Sequence, residues 1–332
     1  MPLLLLFLTA LPLSAQDPVF SQFYAAPLRL NPALAGIGAA PRLTVNYRTQ
    51  HTSYPSAFVT MAASYEQPVA KTPSSFGVRF MSDRQLEGAY RNTEAALVYS
   101  YDVQFTPTLH ARLGLAAGIL NTSLDFSRLT FGDILDPVTG SAEGTSREIL
   151  EAASNTSADF GAGVVVYGGS HYGGVSFEHI NRPDENLFEL NNQLYSGRPQ
   201  RLTLTAGSQI DLKSISTRKR PAYVTPNILY VGQAKLRQLT LGSYFGYGPL
   251  AIGGWYRHAF ENADGFITAV SFRQDILRVG FSYDAVVSDL RNVPGGLGAT
   301  FEVSVMIDFA DSDRLKKNRF RRRYSECFRM FQ

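Results

Sequence analysis

The side chains with chemical reach are five histidines, one cysteine and a scatter of carboxylates. His51, His110, His171, His179 and His258 fall in none of the spacings that gather ligands around zinc. His171 and His179 lie on one expected strand with the same face parity, about 26 Å apart along it, too far to share an ion. Lumen-facing or solvated histidines are the expectation. Cys327 stands alone, so it makes neither an internal disulfide nor a metal site. Asp133, Asp136, Glu143 and Asp159 offer calcium ligands but lack EF-hand or nonapeptide spacing, and a solvated loop is the expected setting. Glycine pairs at 168–169, 173–174, 253–254 and 295–296 precede no helix that would make them a phosphate cradle. They are expected as tight turns, or as places where wall backbone approaches an inner segment. No G-x-S-x-G elbow is present. The residues therefore predict no catalytic group, no metal and no cofactor, and the chain is expected not to be an enzyme.

The stretch that demands an explanation is QDPVFSQFYAAPLRLNPALAG, residues 16–36. Pro18, Pro27 and Pro32 each remove a backbone donor and fix φ, which rules out a central strand. No helical period runs long enough for an ordinary amphipathic helix. Phe20, Phe23, Tyr24, Leu28, Leu30 and Leu34 make it too apolar for a linker. It is expected to be buried in a container formed by the rest of the chain, as a plug-like segment anchored by Phe20, Phe23, Tyr24, Asn31 and Pro32.

Composition indicates the container. Hydrophobic residues are 45% and charged residues 18% of 332, with 28 Gly, 17 Tyr and 22 Phe, a mix suited to strands and aromatic girdles. No window holds the roughly 18–20 apolar residues of a membrane helix, so any membrane passage must be a closed β-barrel. Residues 1–15, MPLLLLFLTALPLSA, are expected to be a secretory signal with Ser14-Ala15 at the cleavage site, although a basic n-region is missing.

From residue 37 the pattern alternates with period two. Phe301, Val303, Val305, Ile307 and Phe309 oppose Thr300, Glu302, Ser304, Met306 and Asp308. Leu277, Val279, Phe281 and Tyr283 oppose Arg278, Gly280 and Ser282. About fourteen such runs are expected between residues 37 and 309: near 41–51, 56–68, 75–83, 90–105, 108–122, 157–168, 171–180, 200–212, 222–233, 236–246, 249–260, 264–274, 275–287 and 298–309. The fold class is therefore all-β, a transmembrane antiparallel barrel. A soluble barrel would turn its apolar face inward; here the opposing face is Thr, Ser, Glu, Arg, Asp and Gly, with no helices to cover a second surface. Counting connections from a periplasmic N-terminus makes the longest, 123–156 and 181–199, external, and leaves the short ones internal. The exception is the basic loop around Lys213 to Pro221. The same parity places the 16–36 segment beside the periplasmic mouth.

Residues 310–332 form a basic tail. Its eight Lys/Arg against Asp311, Asp313 and Glu326 give +5 of the total +3, leaving −2 for the body. Arg314, Lys316, Lys317, Arg319, Arg321, Arg322 and Arg323 are candidate contacts for an acidic periplasmic partner, peptidoglycan or inner-leaflet head groups. A solvated tail is the alternative; nucleic acid is not expected for an exported chain.

With these residues in view the chain resembles the PorP/SprF family of type IX secretion outer-membrane proteins. The opening block resembles the family's N-terminal signature, with Asp17, Pro18, Phe20, Ser21, Gln22, Phe23, Tyr24, Asn31, Pro32 and Gly36 as its residues here. NYRTQHTSYPSAFVTMAASYEQPV follows, with His51 where the family usually has Trp. SFGVRFMSDRQLEGAYRNTEAALVYSYDV, LTFGDILDPVTG, DFGAGVVVYGGSHYGGVSFEHINRPDENLF, TPNILYVGQAKLRQLTLGSYF, IGGWYRHAF and LRVGFSYDAVVSDL keep the family's order. The last strand departs: of the usual Gly-Ser-His-Glu start, Glu302 remains. The resemblance implies a multi-pass barrel in the outer membrane of a Bacteroidota-type bacterium. Its implied partners are type IX components (periplasmic ring or translocon proteins, surface lipoproteins) and cargo with a C-terminal signal domain, gliding-motility adhesins among them. The alternative from another class is an outer-membrane channel for a small hydrophobic solute, similar in outline to fatty-acid transport barrels.

Overall fold

Alternation is the organising fact of the fold. Along the last strand Thr300, Glu302, Ser304, Met306 and Asp308 are buried, while Val303 and Phe309 are exposed. The same inversion, polar inside and apolar outside, repeats around the sheet, as a wall facing lipid on one side and polar contents on the other requires. The structure is a computed structural model describing residues 16–38, 40–50, 52–53, 58–134, 139, 153–187, 197–213, 215, 221–260, 265–287, 298–309 and 331. The expected leader, residues 135–138, 140–152 and 188–196 of the two long connections, and the seven basic candidates from Arg314 to Arg323 lie outside these residues.

The strands are β1 (Arg42–Gln50), β2 (Phe58–Pro68), β3 (Ser74–Gln85), β4 (Tyr90–Gln104), β5 (Leu109–Leu124), β6 (Ala153–Gly168), β7 (His171–Glu178), β8 (Arg201–Ser208), β9 (Ile210–Asp211), β10 (Ala222–Gln233), β11 (Leu236–Tyr247), β12 (Leu250–Ala259), β13 (Gly265–Gln274), β14 (Leu277–Val286) and β15 (Thr300–Asp308). Each pairs antiparallel with its neighbours, and β8 and β9 are one stave interrupted at Gln209, both lying against β10. The fourteen staves close when β1 pairs with β15, Arg42 opposite Asp308 and Thr49 opposite Phe301. Closure removes the open edges that lipid cannot satisfy.

Most expected strand bounds fall within two residues of those observed. The largest difference is β6, which starts at Ala153 rather than 157. Its first turn of ladder is polar: Asn121 Nδ2 donates to Ser154 Oγ (2.9 Å) and Thr156 Oγ1 (2.7 Å). Above the lipid band there is no apolar alternation to read. On the outer surface Leu97, Phe105 and Ile252 are the most exposed of the large apolar side chains described. Tyr101, Phe105, Tyr247 and Phe309 ring the short-turn end, and Tyr256, Phe260, Phe266 and Tyr283 lie toward the other. Two such belts mark the interfaces of an outer-membrane barrel.

Connections 169–170, 248–249 and 275–276 sit at one end of the barrel, 125–152 and 179–200 at the opposite end. Before β1 the chain makes three single turns: Phe23–Ala25, α1 (Pro27–Leu30) and Pro32–Leu34. Pro27 and Pro32 each sit at a first helical position, where their missing N–H costs nothing, and Asn31 Oδ1 caps the last turn by accepting from Ala33 N at 2.9 Å. The prolines that forbid a strand thus fold this stretch into a compact rod.

The rod runs the height of the wall. Asp17 N donates to Gln233 Oε1 (2.8 Å) at the long-connection end of β10. Gly36 N donates to Glu66 Oε2 (2.8 Å) at the short-turn end of β2. Parity alone puts the segment beside the short-turn mouth. It fixes where β1 begins, but the segment's direction is set by its partners on the inner face, and these lead to the opposite end.

Candidate functional site

The candidate site is the lumen and the segment inside it. Phe20, Phe23, Tyr24, Leu28, Leu30 and Leu34 are buried, as are Asp17, Ser21, Gln22, Arg29 and Asn31. Pro32 and Gly36 are buried too, and Pro18 is half-buried. Four layers of contact hold the rod, from the long-connection end downward.

The first layer is charged. Asp17 meets Arg29 (3.0 Å), Arg198 (3.3 Å) and Arg201 (3.5 Å). His179 sits just past β7 with φ 56°, its Nε2 at 2.8 Å from Asp17 and its Nδ1 at 2.9 Å from Asp159. Arg29 also bonds Glu94, and Arg79 bridges Glu94 (2.9 Å) and Glu178. Arg198 reaches Glu185 at 3.2 Å. Five carboxylates (Asp17, Glu94, Asp159, Glu178, Glu185) thus meet four guanidiniums (Arg29, Arg79, Arg198, Arg201), and protonated His179 evens the charge. Burial works against ionisation of Asp17 and His179, but the opposite charges beside them outweigh it. Asp17 is held well below the usual carboxylate range by His179, Arg198 and Arg29. His179, which burial alone would lower, is pushed up to about 9 by the two carboxylates flanking it.

Ligand atoms of Asp17, Glu178 and His179 lie within 4.8 Å of one another, a grouping that could bracket a cation. The guanidiniums of Arg29, Arg198 and Arg201 already lie against the same carboxylates, so a divalent ion would add charge to a balanced set. The layer is a structural clamp.

The second layer is one carboxylate. Glu302 accepts the backbone N–H of Ser21 (2.7 Å) and of Gln22 (2.8 Å) on its two oxygens. Arg48 lies 2.9 Å from it, Ser21 Oγ donates to Asp284 (2.9 Å), and Gln22 Nε2 returns to the Glu302 carbonyl (3.0 Å). The third is aromatic: Tyr24 stacks on Trp255 at 5.7 Å, Phe23 and Tyr244 meet the same indole edge-on, and the Tyr244 hydroxyl donates to that of Tyr24. Trp255 Nε1 is satisfied by Asn227 Oδ1 at 2.8 Å.

The fourth layer takes up carbonyls that short turns leave without partners. Arg79 Nη1 donates to Leu28 O (2.8 Å), Ser176 Oγ to Leu30 O (2.9 Å), Arg112 Nε to Ala33 O (3.0 Å) and Ser100 Oγ to Ala35 O (2.7 Å). Asn31 Nδ2 bridges the carbonyls of Val164 (3.2 Å) and Val175 (3.0 Å). This approach needs bare wall backbone. A Cβ on Gly114 would lie 2.1 Å from Ala33 N, and one on Gly163 2.1 Å from Asn31 Oδ1. Of the glycine pairs singled out in the sequence, Gly169 is a turn at φ 57° and Gly174 lies beside the Asn31 amide; 295–296 is outside the described residues.

Sequence reasoning did not find the clamp. Asp17 and His179 are 162 residues apart, and no spacing links them. The available signal was parity: Arg79 lies between exposed Val78 and Phe80, and Glu94, Arg112, Glu178 and Arg201 are buried on the same inner face.

Comparisons with known proteins follow the same lines. Among solved structures, the Acinetobacter baumannii outer membrane protein Omp33 is similar at 8% identity and TM-score 0.46, over 82% of this chain and 100% of that one. The Pseudomonas putida toluene transporter TodX is similar at 12% identity and TM-score 0.45, over 84% and 92%. The KdgM porin gives 7% identity and TM-score 0.37, over 81% and 99%. No curated protein matches the sequence. The family model described as type IX secretion system membrane protein PorP/SprF matches residues 13–307. A closed barrel with lipid-facing apolar residues and a family match over most of its length make this chain a member of the PorP/SprF family, an outer-membrane β-barrel of the type IX secretion system.

Proposed function

We propose that this barrel is a non-enzymatic secretion component that supports export or surface attachment of cargo bearing a type IX C-terminal signal, gliding-motility adhesins among them. The 16–36 segment is a fixed plug in this reading. The observation that carries it is the close packing around the rod: the cavities beside Arg29 have volumes of about 20 and 10 Å³, room for about one water each, while the 270 Å³ opening lined by Tyr223, Ser271 and Arg278 lies at the short-turn end. A chain that binds its own N-terminal rod along the height of its wall serves better as a scaffold than as a solute path. The loops within 123–156 and 181–199 are the surfaces offered to cargo or surface lipoproteins. Arg314, Lys316, Lys317, Arg319, Arg321, Arg322 and Arg323 are offered to an acidic periplasmic partner.

Affinity purification from native membranes is the test. A type IX ring or translocon protein together with one surface adhesin is the expected result. A barrel that purifies alone and carries a hydrophobic solute into liposomes would replace this reading with the channel alternative. Deleting residues 17–36 should impair cargo export while leaving barrel inserted in the membrane; normal export by that deletion would remove the plug from the mechanism.

A further inference from the structure

The outer face of the wall carries a pair of charges that a plain lipid surface does not explain. Arg84 on β3 stands directly opposite Arg91 on β4. Both share the outward parity of their strands, Arg84 exposed and Arg91 half-buried. Side chains so placed have Cβ atoms about 4.5–5.5 Å apart, and like charges there repel. Among the described residues neither side chain makes a hydrogen bond or an ion pair. The carboxylates nearby in sequence are engaged elsewhere. Asp83 faces the lumen and accepts from Thr60 Oγ1 (2.6 Å), Glu94 belongs to the clamp, and Asp125 holds Arg128 (3.2 Å). Glu87, in the turn between the two strands, bonds neither arginine.

Height on the wall gives the pair its meaning. Arg84 lies four residues beyond lipid-facing Phe80, about 13 Å along the strand. Between them the outer face of β3–β5 turns polar: Ser82 is opposite Thr93, and Thr93 is opposite Asn121, which opens the polar ladder to β6. The arginines therefore stand at head-group level, at the long-connection end, which is the external end of barrels of this kind. Below them an apolar groove of about 520 Å³ opens in the lipid face, a volume within the range of ligand clefts, about 300–1,000 Å³. Register explains the groove. Phe80 stands between Ala63 and Ala95, and Leu97 beside Ala117, so large side chains rim the space that small ones leave.

We propose that this is a lipid site: Arg84 and Arg91 grip a phosphate of outer-leaflet lipid A, and an acyl chain of the same molecule lies in the groove below. A phosphate between the two guanidiniums replaces their repulsion with attraction, and each offers the forked donors that phosphate oxygens accept in pairs. The groove continues from the arginines toward the middle of the bilayer, the direction an acyl chain takes from its head group. The inference rests on the outer face of the wall and does not depend on the secretion role.

The test titrates the full chain, purified in detergent, with micellar lipid A, folding being monitored by heat-modifiable migration on gels. Arg84→Gln with Arg91→Gln should weaken binding by about tenfold or more, the loss of at least one charge-assisted hydrogen bond. Lys235→Gln with Arg237→Gln removes the same charge from exposed positions on another hairpin and should leave the affinity nearly unchanged. Equal losses in the two double variants, or no loss in the arginine pair, overturn the proposal. Ala95→Phe fills the groove and should also weaken lipid A binding; an unchanged affinity in folded protein overturns the seating of the acyl chain. Inorganic phosphate at the same concentration should not displace lipid A, and full displacement would reduce the pair to a simple anion site.

Discussion

At the residue scale the charged clamp sets the sharpest expectations. Arg29 is buried between Asp17 and Glu94, so Arg29→Met takes one cation from each of these carboxylates and leaves the buried clamp one positive charge short. The cost of breaking such a pair is about 3–5 kcal/mol, visible as a lower unfolding temperature of the detergent-purified barrel. His179 gives the clamp a pH dependence. Its folded value of about 9 lies above the ordinary 6.5, so its contribution is complete below pH 6.5 and is lost as pH rises through about 9. Hydrogen exchange of residues 17–24 should therefore quicken across that window, and His179→Gln should flatten the profile. If wild type and variant show the same pH profile, another group controls the clamp. Little of this was legible beforehand. That Glu178 and Arg201 face inward follows from parity, but that they meet Arg29 depends on the path of an irregular segment, which no periodicity records.

Elements were the most readable level. Strands announce themselves because a lipid-facing side chain must be apolar and its neighbour need not be, and fourteen such runs stand clear of their turns. The rod was legible only by exclusion: three prolines and six large apolar residues showed that it was neither strand nor linker. Its shape follows from where the prolines sit, and its fit follows from glycines on other strands. Gly114 tests that fit. A side chain there meets the Ala33 backbone, not a movable tip, so Gly114→Val should cost about 1–3 kcal/mol by overpacking and loosen the rod. The check is protease protection of residues 16–38 alongside the unfolding temperature. A neighbouring change on the outward face, Leu115→Val, should leave protection unaltered.

For the whole molecule, the outer surface and the lumen answer to different solvents. Leu97 is 69% exposed on the lipid face of β4. Leu97→Arg places a charge toward the bilayer interior, at about 2–4 kcal/mol, and should reduce folding into lipid bilayers measured by urea titration. The same variant in detergent should keep the rod protected, since no lumen contact changes. Inversion of the usual inside and outside was legible from the sequence, and it allows a lumen crowded with charge to coexist with a wall that avoids it.

The rod's bonds also constrain time. Ser21 and Gln22 are held by Glu302, 281 and 280 residues later, and Asp17 by Gln233, 216 later. Contacts of such separation are slow to form, because much chain must be ordered before they yield stability. The rod also lies inside a ring that shuts when β15 meets β1. The earliest residues of the rod are thus among the last to find partners, and stay apolar and exposed until then, a state prone to aggregation. An escort that shields residues 17–36 until the final strand arrives should therefore raise the yield of correctly filled barrels.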